Sequence, residues 1–316
     1  MDFQGEHRGN DNIEHQNSAG KETVVEKEPR PVKLEIGLKS RAEKGVDYSG
    51  PENKDAVVTE RDAVVICDGV GRNGGKVAEV VSKYLAKELR DIPAHQINDR
   101  DLEEKIPNLF TEAIESLGQE GDLEDLDLQD AGTMVSAVKM WRDEFETKKA
   151  SIASIGVGRV YIFNPENGLR QINTPDDLVS REIKDDEEAA KMRDKFDRVT
   201  NKYDLMTQKE IEIFEHRDYV ARFLKAEGED DKGSHENRPS VHTVSVEDGD
   251  LIIVTTDGVH DNLTKGEIVD IINQESGGQD VSDRLIEAAA ERSEQDNIRS
   301  RKDDMTAVVV RVKEDQ

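Results

Sequence analysis

Only one cysteine, Cys67, occurs in the 316 residues, which excludes an internal disulfide and a cysteine-based zinc site. It lies inside an apolar run, so it reads as a buried structural thiol rather than a nucleophile. Long hydrophobic stretches are missing as well: nothing approaches the roughly 20 apolar residues that span a bilayer. The first six residues, Met1 to Glu6, lack the charged-then-apolar layout of a signal peptide. The expected location is therefore cytoplasmic, with no membrane partner. Positive charge is also short. A formal net charge of −27 leaves no basic footprint for a phosphate backbone, which excludes direct nucleic-acid binding.

What remains is a chain with 34% apolar and 36% charged residues, whose burial must be concentrated in a few segments. Those segments exist: Asp62 to Cys67, Leu251 to Val254 and Ala307 to Val310 are almost wholly apolar, which argues against global disorder. The excess of acid has two readings, a solvated self-repelling surface and an acidic pocket that holds metal, and total charge does not separate them.

Residues 1–30 carry almost no apolar periodicity and read as a disordered acidic tail. The folded part, 31–316, opens with an alternating strand at Val32 to Leu38. A fully apolar strand ends at Cys67. A glycine-rich turn leads into a helix over Lys76 to Leu89, whose Val77, Val81, Tyr84 and Leu85 share one face. A second amphipathic helix carries Leu102 to Leu117, with Pro107 marking a kink or a late start. From Met134 the period becomes two, predicting consecutive antiparallel strands at 134–141, 150–155 and 160–163, then 169–172 after a Pro-Glu-Asn-Gly turn. Residues 180–233 are densely charged and helical in character, an inserted lobe or flap with a small core of its own. Strands return at 240–246 and 251–255, helices at 265–273 and 281–292, and a closing strand at 306–312. This order predicts an α+β layered sandwich.

Three aspartate motifs lie at the ends of very apolar strands: Asp68-Gly69, Asp257-Gly258 and Asp303-Asp304. If those strands are central and adjacent, their carboxylates converge at one rim. Converging carboxylates repel unless a cation neutralises them, and oxygen-only ligands favour Mg²⁺ or Mn²⁺. A single Asp-Gly after a strand is usually only a turn; the order of motifs changes the reading.

Asn53-Lys54-Asp55, Asp68-Gly69-Val70-Gly71-Arg72-Asn73-Gly74-Gly75, Ala131-Gly132-Thr133, Gly156-Val157-Gly158-Arg159-Val160-Tyr161, Thr174-Pro175-Asp176-Asp177, Asp248 to Asp261 and Lys302-Asp303-Asp304-Met305-Thr306 follow in sequence. From Gly45 to Val312 this succession resembles the protein phosphatase 2C family, the metal-dependent serine/threonine protein phosphatases. The resemblance implies a four-layer α-β-β-α sandwich of antiparallel sheets flanked by helices. It also implies two Mg or Mn ions and a phosphorylated protein substrate, within a serine/threonine kinase pathway. Carried over, Asp68 bridges both ions, the Gly69 carbonyl ligates the second, and Asp257 and Asp303 complete the first. Asp55 acts close by, and a hydroxide bridging the ions attacks phosphorus in line.

The sequence departs from the pattern at Lys54, where the family has an acidic residue or Gln, and at Gly50, where many members hold phosphate with arginine. It departs again at Val157, in place of an aspartate tied to a third metal, and at Val70, in place of a histidine. These losses motivate an alternative: a catalytically weak or inactive phosphatase-like binding domain. His260 reads as a solvated loop residue and Arg159 as a partner of a carboxylate in the sheet, so neither receives a role. Gly69-Val70-Gly71-Arg72-Asn73-Gly74 also matches a dinucleotide fingerprint. The required second parallel strand is missing, because Asp91 to Gln96 carries Pro93 and no β-rich run.

Overall fold

The computed structural model describes residues 31–42, 53–92, 99–117, 126–200, 202–203, 206–217, 219–226 and 238–314. The expected tail 1–30, Gly50 and the acidic run 229–231 lie outside them. In chain order, β1 (Leu34–Arg41), β2 (Asp55–Glu60) and β3 (Ala63–Val70) precede α1 (Gly74–Asp91) and α2 (Asp99–Leu117). Next come β4 (Gly132–Arg142), β5 (Lys148–Ile155), β6 (Arg159–Asn164) and β7 (Gly168–Gln171). The charged segment contributes α3 (Leu178–Glu182), α4 (Asp186–Phe196), α5 (Gln208–Glu215) and the two-residue β8 (Leu224–Lys225). The chain closes with β9 (Ser240–Ser245), β10 (Leu251–Thr255), α6 (Asp257–His260), α7 (Lys265–Gln274), α8 (Gly278–Ser293) and β11 (Met305–Val312).

Two antiparallel sheets result, ordered β1-β11-β10-β6-β7 and β2-β3-β4-β5-β9. Period-two alternation decides what each strand faces. On β3, Ala63, Val65 and Cys67 pack under α1 and α2, while Val64 and Ile66 face the other sheet. On β10, Leu251 and Ile253 meet the α7–α8 side, and Ile252 and Val254 point to the sheet that contains β3. Val308, Val310 and Val312 of β11 join the same central layer. Each such side chain contributes roughly 1.5–3 kcal/mol on burial. The order of layers is helix, sheet, sheet, helix, as the motif resemblance implied.

β4 is buried along all its residues because helices cover one face and a sheet the other. Its buried Lys139 pairs with Asp62 at 2.7 Å. Cys67 is buried as expected, and burial pushes its thiol well up, far from a nucleophile's range.

Two expectations are corrected. The strands over 134–163 are not one antiparallel succession. β4 and β5 pair, but β6 crosses to the other sheet and pairs with β10 and β7. Gly156, at φ 103, makes that crossing next to the Met134 side chain. Pro107 does not delay its helix: α2 begins at Asp99 and runs through the proline. No helix among the described residues is long and apolar enough to cross a membrane.

Candidate functional site

Asp55 and Asp68 stand directly opposite each other in the β2–β3 register. Asp257 follows β10 and Asp303 precedes β11, its neighbour in the β1-β11-β10-β6-β7 sheet. The sequence-level expectation of adjacent strands is thus half right. β10 and β11 are central neighbours, but Asp68 reaches the rim from the facing sheet. Asp55, Asp68, Asp257 and Asp303 come close enough to perturb one another.

Glycines permit this approach. A Cβ on Gly69 would lie 2.3 Å from the Gly74 carbonyl carbon, so the β3 turn and the start of α1 touch backbone to backbone. A Cβ on Gly258 would lie 2.1 Å from the Asp304 carbonyl oxygen, so the Asp257 turn rests on the backbone beside Asp303, just before β11. The Gly69 amide donates to the Lys54 carbonyl, and the Lys54 amide donates to Asp304 Oδ2 at 2.7 Å, stitching the first acidic motif to the last.

Hydroxyls orient Asp55. Its Oδ2 accepts from Thr306 Oγ1 at 2.6 Å and from Thr256 Oγ1 at 3.0 Å. Thr306 Oγ1 lies 2.8 Å from Ser40 Oγ, which accepts from Asn53 Nδ2. Burial pushes the Asp55 carboxyl up to about 7 against these hydroxyls, and the charges of Asp304 and Asp303 add to the rise. Asp68 is raised by burial and then by Asp55, Asp257 and Asp303. Burial, Asp303 and Asp261 raise Asp257, and burial lifts Asp303 to about 6.

Asp55 Oδ1 and Asp257 Oδ1 are buried with no hydrogen-bond partner. Oxygens in that condition, amid like charges, fit a cation. Among the described residues no three Asp, Glu, His or Cys side chains close into a finished cage.

Two side chains sit elsewhere than expected. His260 is buried at 2% exposure, because α6 turns it inward, where its Nδ1 lies 3.0 Å from Thr255 Oγ1. Burial and the charges of Arg159, Arg299 and Arg217 hold it neutral. Arg159 pairs with Asp197 at 3.0 Å, at the end of α4 in the inserted lobe rather than in the sheet. Asp176 and Asp177 are engaged by other partners. Asp176 accepts from the Gly156 amide and from Arg222, and Asp177 caps α3 and takes both nitrogens of the Arg193 fork. They anchor the lobe, whose own core holds Phe196 against Phe214 at 5.3 Å. Val157 is buried, and Glu187 and Glu188 face solvent.

Sequence reasoning missed Thr256, Thr306, Asn262 and Arg299. Asn262 donates to the Gly258 and Arg301 carbonyls and accepts from the Arg301 amide, joining the Asp257 turn to the loop that carries Asp303. A polar residue fused to an apolar strand end signalled the threonines; nothing local marks the other two.

The two-sheet architecture and the carboxylate rim define the fold of the protein phosphatase 2C type. It is similar to the serine/threonine phosphatase PstP/Ppp of Mycobacterium tuberculosis, with TM-score 0.63 and 20% identity over 89% of this chain and 99% of that one. The PstP catalytic domain, solved in complex with two manganese ions, matches with TM-score 0.62 and 21% identity over 89% and 100%. Stp1 of Staphylococcus aureus, a serine/threonine phosphatase, matches with TM-score 0.61 and 17% identity over 89% and 96%. Residues 230–313 match the model of the Stage II sporulation protein E (SpoIIE) family. No curated protein gives a significant match.

Proposed function

We propose that the chain is a metal-dependent phosphatase that hydrolyses phosphoserine and phosphothreonine in proteins. The observation that carries this reading is the set of buried, mutually raised carboxylates, two with orphaned oxygens, at one rim of this fold. Asp68, Asp257 and Asp303 would hold a pair of Mg²⁺ or Mn²⁺ ions with help from the Gly69 carbonyl. When bound, such ions polarise phosphoryl oxygens and acidify water. The protein's own contribution is positional. Thr256 and Thr306 fix the direction of Asp55 beside the other carboxylates.

The test is phosphate release from a phosphothreonine peptide with Mn²⁺, with Mg²⁺, and with excess chelator. Release that needs metal is expected. A folded protein silent under both metals would move the assignment to the alternative reading, a binding domain of the same fold, which Lys54 and Val157 favour.

Lys54 gives a second expectation. Placing an ammonium where the resemblance puts an acid opposes cation binding by direct repulsion. Lys54→Glu should tighten Mn²⁺ binding by about three- to tenfold, read by titration of the metal. Weaker binding would show that Lys54 supports the site.

A further inference from the structure

Arg299 is 2% exposed and lies in the loop between α8 and β11. Its hydrogen bonds go to backbone carbonyls on two separate parts of the molecule. Nη1 donates to Phe196 at 2.9 Å and Val199 at 3.1 Å, at the end of α4 in the inserted lobe. Nη2 donates to His260 at 2.9 Å and Leu263 at 3.2 Å, on the turn that begins with Asp257. The guanidinium also lies 5.8 Å from the Phe214 ring centre in the lobe's core.

Other charged contacts follow the same seam. Arg217, beyond α5, donates to the Arg299 carbonyl and stands 3.5 Å from Asp261. Asp197, at the end of α4, is held by Arg159 of β6 and by Lys265 at the start of α7. Arg159, Asp197, Arg217, Asp261 and Arg299 line a cavity of about 20 Å³, room for roughly one water. A buried guanidinium is costly to desolvate, and a planar fork is the group that can serve four carbonyls at once.

We infer that Arg299 is a positioning residue for the metal site, coupling the place of the α4–α5 lobe to the turn that carries Asp257. The inference rests on the metal reading proposed above. Holding the His260 and Leu263 carbonyls fixes the pitch of α6, and so the direction of the Asp257 carboxylate. Holding the Phe196 and Val199 carbonyls makes that direction depend on the lobe. Coupling of this kind is reciprocal: if the lobe's position favours the metal, the metal must favour the lobe's position.

The experiment has two readouts. Mn²⁺ is first titrated into the wild-type protein. Its effect on hydrogen exchange is then followed at the amides of Asp197, Arg198 and Val199, which close the end of α4. Mn²⁺ should slow their exchange several-fold. Arg299→Lys, which keeps the charge but loses the fork, should weaken Mn²⁺ binding by about tenfold, the scale seen when outer-shell partners of metal ligands are changed. It should also abolish the slowing while the circular dichroism stays unchanged. A wild-type protein that binds Mn²⁺ with no change at 197–199 overturns the coupling, whatever the variant does. Unchanged affinity in a folded Arg299→Lys protein overturns it equally. If wild type binds no Mn²⁺ at all, the metal-site reading falls first and takes the coupling with it.

Discussion

Asp257→Asn should cut metal-dependent phosphate release by about 10³-fold or more while raising the melting temperature of the metal-free protein. The two effects have one origin. The Asp257 carboxylate is buried, its Oδ1 is unpartnered, and its neighbours Asp303, Asp261 and Asp55 are acids that raise it. Without a cation this charge is a liability, and a neutral amide of the same shape removes it. About 1 kcal/mol of relief corresponds to a rise of roughly 2–4 °C in a domain of this size. With a cation, the missing charge removes several kcal/mol of stabilisation from the reacting state, at about 1.4 kcal/mol per tenfold in rate. A variant that had merely been damaged would melt lower, so activity and melting together separate the cases. Undiminished release would sink the assignment of Asp257.

The second expected result concerns pH. Unfolded carboxylates lose their protons near pH 4, whereas folded Asp55 keeps its proton to about 7. Between those values the folded chain binds more protons than the unfolded one, so stability falls as pH rises through the window. His260 runs the other way, because burial holds it neutral and the unfolded chain takes up a proton below about 6.5. Comparison with Asp55→Asn cancels His260, which is common to both proteins, and leaves Asp55 together with the relief its loss gives Asp68 and Asp257. In chelator, urea unfolding should show the wild type losing stability relative to the variant between pH 5 and pH 8, by on the order of 2–4 kcal/mol. A constant difference across that range would mean that Asp55 is ionised in the fold throughout. Adding Mn²⁺ should flatten the wild-type curve, because a cation favours the ionised form.

Much of the architecture was legible because apolar alternation is a local property. The strand limits at Leu251–Thr255 and the helix start at Lys265 are where the sequence reading puts them. The aspartates were found through the order of motifs, and the structure brings them to one rim. Which sheet each strand joins was not legible. β5 and β6 are separated by only Gly156 to Gly158, and nothing in their composition says that the chain changes sheets there. His260 was misread for a related reason: two residues beyond a turn, only the lobe folded over it determines its burial. Arg299 was missed because its partners are carbonyls 36 to 103 residues away, and every residue has a carbonyl.

The first described strand pairs with the last, Leu34 opposite Val312, and Thr306 reaches Asp55 across 251 residues of sequence. A ribosome adding roughly 5–20 residues per second needs about 10–50 s to travel from one to the other. Throughout that interval Asp55 exists without the hydroxyl that orients it, and the central layer lacks Val308, Val310 and Val312. The nascent chain therefore cannot assemble its carboxylate rim until β11 emerges.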